Sequence, residues 1–159
     1  MGKVLSTFQR GWPGPISRSV DDIVVTYSNK GSAPIAPGTP VFLDASTGGV
    51  KPIAGATTFD TFVGFAVRVP SKTPDTYGAN TAPYAVGEPM DVLVRGSLTV
   101  AVVGSCSAGG AVHVRKADGK LVPSAVADNG SIQLTNCHFR GSQDSSGLAE
   151  LLISERNIG

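Results

Sequence analysis

Side-chain catalysis needs titratable or nucleophilic groups that converge, and this chain of 159 residues offers few of them. It carries two histidines, His113 and His138, and two cysteines, Cys106 and Cys137. His113 stands between Val112 and Val114 in a strand-forming stretch, which predicts an ordinary histidine on a wet face. Cys137 and His138 are neighbours, so in a strand they point to opposite faces and cannot share a metal ion. No CxxC or HxxxH spacing occurs, and no metal site is expected. The run Gly104-Ser105-Cys106-Ser107-Ala108-Gly109-Gly110 has the small residues of a nucleophile loop. It lacks GxSxG, however, and precedes a strand where a nucleophile elbow precedes a helix. Asp21 and Asp22 are adjacent and diverge in extended backbone, while Asp44, Asp75 and Asp118 fall in turns that Asp stabilises through its own backbone. Gly78 and Gly87 belong to no GxGxxG or P-loop pattern. The inventory therefore predicts no catalytic residue, no cofactor and no enzyme. Two free, buried thiols are the expectation for a chain folding in a reducing compartment, with a Cys106–Cys137 pair as the alternative.

The elements that would position these groups are strands. Ile23-Val24-Val25-Thr26-Tyr27 is β-branched and aromatic, and is bounded by Asp21-Asp22 and Asn29-Lys30-Gly31. Short strands follow at Val41-Phe42-Leu43, Val50-Lys51-Pro52-Ile53-Ala54 and residues 61–69, where the internal Gly64 signals a bulge or a close backbone contact. Residues 70–89 form a long Pro/Gly/Thr-rich connection, of a length that is usually functional or mobile. Residues 90–95 and 97–103 read as two strands joined at Gly96, and residues 111–115 and 120–124 as a hairpin across Ala117-Asp118-Gly119. Residues 131–139 and 148–153 complete the set, the last read as strand in preference to helix. No long window shows a 3.6-residue period. The pattern predicts an all-β fold, a small antiparallel β-barrel with an extended N-terminal arm and long Pro/Gly-rich loops.

That arm is residues 1–19, ahead of a single barrel domain over residues 20–159. It contains the only Trp, and Trp12-Pro13-Gly14-Pro15 cannot form a helix or a central strand. Its aromatic residues must be buried, either back on the core or on a neighbouring subunit.

Composition limits the partners. Charged residues make up 16% of the chain against roughly a quarter in an average soluble domain, and Gly (20) and Pro (11) are abundant. A surface with so little charge fits one that partners cover. The net charge is +1 and Lys and Arg form no stripe, which argues against direct nucleic-acid binding. Residues 92–103, the most apolar run, are interrupted by Arg95, Gly96, Ser97 and Thr99, and no membrane segment is expected. No apolar run near the N-terminus suggests a signal peptide.

The order and spacing of several motifs resemble one family along nearly the full length. Gly11-Trp12-Pro13-Gly14-Pro15-Ile16-Ser17-Arg18, Phe62-Val63-Gly64-Phe65-Ala66-Val67-Arg68, Lys72-Thr73-Pro74-Asp75-Thr76-Tyr77-Gly78 and Gly87-Glu88-Pro89-Met90-Asp91-Val92-Leu93-Val94-Arg95-Gly96 resemble the structural cement, or capsid decoration, proteins of tailed bacteriophages. The resemblance implies a structural virion protein, made in the host cytoplasm. It would sit on the capsid exterior, bind the major capsid protein, clamp adjacent capsomers and self-associate as a homotrimer. It supplies no catalytic residues. An extended arm suits such a role, because it can add backbone hydrogen bonds to a neighbour while its aromatic residues fill pockets. Phe8 and Trp12 are the expected anchors, Arg10 and Arg18 the charged contacts, with Pro13 and Pro15 stiffening the arm. A carbohydrate-binding or adhesive β-domain is the alternative, and it is poorly supplied, with aromatics at 6%.

Overall fold

A computed structural model describes residues 11–69 and 82–158. Nine strands form one curled antiparallel sheet: β1 (Ile16–Ser28), β2 (Pro40–Asp44), β3 (Gly49–Lys51), β4 (Phe62–Ala66), β5 (Pro89–Ala101), β6 (Ala111–Arg115), β7 (Leu121–Val122), β8 (Ser131–Phe139) and β9 (Leu148–Ile153). Among the described residues the only helical element is a single 3-10 turn, Phe59–Thr61. The all-β half-barrel matches the expected class.

The path β3-β2-β4-β5-β9-β8-β6-β7 leaves β1 to pair with β5. Leu93 and Val92 of β5 pair with both β1 and β4, and Gly96 to Ala101 pair with β9 while Ser97 and Leu98 also pair with β1. A strand has two edges, so β1 occupies one edge of β5 and β4 and β9 share the other. The sheet curls at both ends. Lys30 donates its N–H to Val50 O (2.8 Å) beside a parallel Asn29–Val50 bridge, and Val103 donates to Leu121 O (2.9 Å) beside a Val102–Leu121 bridge.

Alternation along the strands feeds two apolar clusters. Phe42, Phe62, Phe65 and Leu93 join Leu98, Val100, Val114, Leu134, Phe139 and Leu151 in the larger one, while Val41, Val63, Ala66, Val92 and Val94 join Ile35 and Tyr84 in the smaller. Both faces of β4 are thereby buried, which is why Phe62–Ala66 reads as an unbroken apolar run. Phe62 meets Phe42 and Phe65 edge-on at 5.7 and 5.6 Å between centroids. Each such ring removed from water contributes about 1.5–3 kcal/mol. Gly64 permits the β4–β5 approach, since a Cβ there would lie 2.0 Å from the Leu93 carbonyl oxygen.

Four sequence expectations change. The two strands expected over residues 90–95 and 97–103 are one, β5, which runs through Gly96 at φ +120° and ends at Ala101. Gly96 is the seat of a bulge and not a turn. Arg18 pairs with Ser97 and Ile23 with Arg95, so the four residues 19–22 of β1 stand opposite Gly96 alone, and a Cβ there would meet Asp22 Cα at 3.0 Å. His113 is buried at 8% exposure, because β7 and β8 flank β6 and both faces of β6 are covered. Burial lowers its pKa from the usual imidazole value. Residues 16–19, expected in the arm, begin β1. The strand expected over residues 50–54 stops at Lys51, since Pro52 has no N–H to continue a ladder. The hairpin across Asp118-Gly119 and the final strand β9 form as the sequence indicates.

Candidate functional site

Residues 11–18 fold back on the body, and the arrangement follows from the Pro-Gly-Pro run. Pro13 and Pro15 have no N–H, so Gly14 makes the segment's bonds: its N–H donates to Thr99 O (2.8 Å) and its carbonyl accepts from Arg68 N–H (3.0 Å). Thr99 N–H donates to Pro15 O at 3.0 Å. Gly14 stands at φ +98°, and a Cβ would lie 2.5 Å from Pro37 Cβ, so only glycine fits this crossing. Pro13 and Pro15 are half-buried as a result.

Trp12 stays 48% exposed, with the Arg68 guanidinium 5.6 Å from its ring centroid. This cation–π contact orients a large, half-exposed apolar ring. Arg18 is tied down differently: its Nε donates to Glu150 Oε1 at 2.7 Å and Nη2 to Oε2 at 3.4 Å, while Ser17 Oγ donates to Oε1 at 2.9 Å. Burial pushes the Glu150 carboxyl up, but the Arg18 and Ser17 hydrogen bonds outweigh it and hold it below its usual range. Of the expected arm contacts, Trp12 lies beside Arg68, Pro13 and Pro15 flank the Gly14 bonds to Thr99 of β5, and Arg18 lies against Glu150 of β9. Phe8 and Arg10 lie outside the described residues.

Past Arg18 the bulge of residues 19–22 projects from the sheet. Val20 is 97% exposed at its crest. Asp21 Oδ2 accepts from Arg95 Nη2 at 2.6 Å and steadies the bulge from below. One groove, of about 400 Å³, lies on the Val20 side and is lined by Arg18, Val20, Asp21, Ser97, Arg140 and Leu152 among others. A second, of about 410 Å³, is lined by Pro15, Ile16, Val24, Val67, Arg68, Val69 and Asp91. Sequence reasoning missed Arg68, Val20, Arg140 and Glu150. Only Arg68 had a signal, its place at the end of a quoted motif.

This surface has binding geometry and little chemistry. Among the described residues no three His, Cys, Asp or Glu side chains cluster as a metal site. Cys106 and Cys137 form no disulfide and are both buried, and burial raises the Cys137 thiol far above its usual range, which keeps it protonated.

Comparison with known proteins decides the family. Residues 3–154 match the family model described as Structural cement protein (E217 gp24/Pam3 gp6). The chain belongs to the structural cement protein family. The cement protein is therefore a phage structural protein with a capsid-binding role. Its fold resembles a chain in a structure titled "The capsid of Myoviridae Phage XM1", at TM-score 0.76 and 18% identity, covering 96% of each chain. A more distant likeness, TM-score 0.44 and 11% identity over 86% of this chain and 99% of the other, is to the head fiber gp8.5 N base of bacteriophage phi29. No curated protein matches the sequence.

Proposed function

We propose that this cement protein binds the outer surface of a tailed-phage head, contacts the major capsid protein and ties adjacent capsomers together, as a homotrimer and without catalysing a reaction. The observation that carries this reading is the family match over nearly the whole chain. The surface supports it. Trp12 offers a half-exposed ring already oriented by Arg68, so little side-chain entropy remains to be lost on docking. Glu150 uses two of the five N–H donors of Arg18, and the others are open to a shell carboxylate or carbonyl. Phe8 and Arg10 would extend the same contact line, with Pro13 and Pro15 fixing its direction. Many copies on one lattice convert modest contacts into strong retention, and binding only the assembled shell stabilises that shell.

The test is to mix the purified protein with cognate heads that lack it and sediment them. The protein is expected in the pellet, and the decorated heads are expected to resist heating better than bare ones. Protein that stays in the supernatant with cognate heads would overturn the proposal. Deleting residues 1–10 is expected to weaken capture while leaving thermal unfolding unchanged, because the described body makes its sheet from residue 14 onward.

A further inference from the structure

The two ends of the sheet path, β3-β2 and β6-β7, approach each other between Ile53 and Gly119, where a Cβ on Gly119 would stand 3.5 Å from Ile53 Cγ2. A cavity of about 430 Å³ opens at this seam, with Pro13, Pro37, Pro40, Pro52, Ile53 and Leu121 in its wall. Proline has no N–H, and the N–H groups of Gly38, Lys116 and Gly119 are already bonded to the carbonyls of Ala66, Gly130 and Arg115. The wall is therefore apolar and short of donors, and its charged groups are Lys116, Lys120 and Asp118. Asp118 is engaged: it accepts from Arg115 Nε at 2.9 Å, from Arg115 Nη2 at 2.5 Å and from Lys120 N–H at 3.2 Å. Lys120 Nζ reaches it only at 4.0 Å. The Lys116 ammonium has no hydrogen bond and no carboxylate within 4.0 Å among the described residues, Asp128 of the neighbouring turn included. Three cations thus face one carboxylate that Arg115 has already taken.

Resting on the capsid-binding reading above, we propose that this cavity receives an acidic segment of the shell protein, with a carboxylate on Lys116 and Lys120 and an apolar side chain against the proline wall. Two observations choose that occupant. The first is charge: the site holds ammonium groups with no anion of their own, so it selects an acceptor that brings negative charge. The chain's own N-terminal residues 1–10 do not fit, since they carry Lys3 and Arg10 and no Asp or Glu. The second is continuity. Pro13 belongs both to the cavity wall and to the arm root, where the half-exposed Trp12 precedes it, so a shell segment that meets the ring passes the cavity without a gap. The prolines also limit the cost of docking, because a wall of fixed φ has little conformational freedom left to lose.

The experiment uses the full chain, cognate heads and four variants. Lys116→Glu reverses the unmatched charge and Lys116→Gln removes it. Ala101→Phe fills the cavity from an exposed position of its wall without changing charge, and Arg156→Glu makes the same charge reversal at an exposed site outside the cavity. Far-ultraviolet circular dichroism and melting check that each folds. Head affinity is expected to fall about tenfold or more for Lys116→Glu and Ala101→Phe, less for Lys116→Gln, and within about twofold for Arg156→Glu. Folded Lys116→Glu and Ala101→Phe proteins that bind heads like the parent would overturn the cavity proposal while leaving the cement reading intact. So would an equal loss in Arg156→Glu, which would make the effect one of net charge. Failure of the unaltered protein to bind would instead overturn the cement reading. Carbodiimide treatment of decorated heads then names the occupant, since it condenses an amine with a carboxylate in contact and leaves an amide, the lost oxygen departing in the urea. Mass spectrometry is expected to find Lys116 or Lys120 joined to an Asp or Glu of the major capsid protein. Joining only to a second copy of this chain would overturn the proposal.

Discussion

Strands β1 and β5 are both 13 residues long, rich in β-branched residues and hydrogen-bonded to each other, yet they end in opposite circumstances. β5 is flanked by β1 on one edge and by β4 and β9 on the other, and all but four of its residues are buried. β1 has one partner along most of its length and keeps Val20, Ile23 and Val24 in solvent. Composition does not separate them. What does is the number of neighbours that the topology gives each, and the lesson is that the same strand chemistry serves as core in one place and as exposed surface in the other.

The largest effect is expected where the two strands lock together. Gly96→Val would force a side chain onto a backbone at φ +120° and against Asp22, so it should cost about 3 kcal/mol or more in urea unfolding. A change near zero would show that the bulge is not seated on Gly96.

Truncation separates the strands themselves. Leu98→Ala, at a fully buried site of β5, is expected to cost about 2–5 kcal/mol, and Val24→Ala on β1 about 1 kcal/mol or less. Equal costs would break the contrast between core strand and surface strand.

A smaller, pH-dependent effect belongs to His113. Its folded pKa lies below the unfolded value, so the unfolded state takes up the proton first as pH falls, and stability is lost below about pH 6.5. Melting temperature should drop between pH 7 and 5, and His113→Gln should flatten that part of the profile. The smallest effect concerns Asp44, whose carboxyl is held down to about 2 by hydrogen bonds from Thr47, Ser46 and Lys51. Its contribution is complete above about pH 4 and disappears only as pH falls toward about 2, so Asp44→Asn should matter little in acid and slightly more at neutral pH.

Much of this architecture was legible from residue order. The Asp118-Gly119 hairpin and β9 follow from local chemistry, because a turn at positive φ and an apolar alternation need no distant information. Gly96 was not legible in the same way. A glycine between two apolar runs looks identical whether it turns the chain or seats a neighbour's bulge, and the deciding atom belongs to Asp22, far away in sequence. His113 was misplaced for a related reason: alternation assumes one wet face, and β6 has none. The Pro-Gly-Pro run was read as extended, whereas residues 12–14 bend over the body, and the bonds to Thr99 and Arg68 that hold them there span more than fifty residues and leave no local trace. Val20 was the hardest to foresee, since an apolar residue in a strand is ordinarily assigned to the core.

The most direct test of the central claim is an electron cryo-microscopy reconstruction of cognate heads with and without the protein. The account predicts added density on the outside of the shell, bridging adjacent capsomers, with Trp12 turned toward the major capsid protein. Density confined to one capsomer or to the interior, or Trp12 facing solvent on every bound copy, would contradict it.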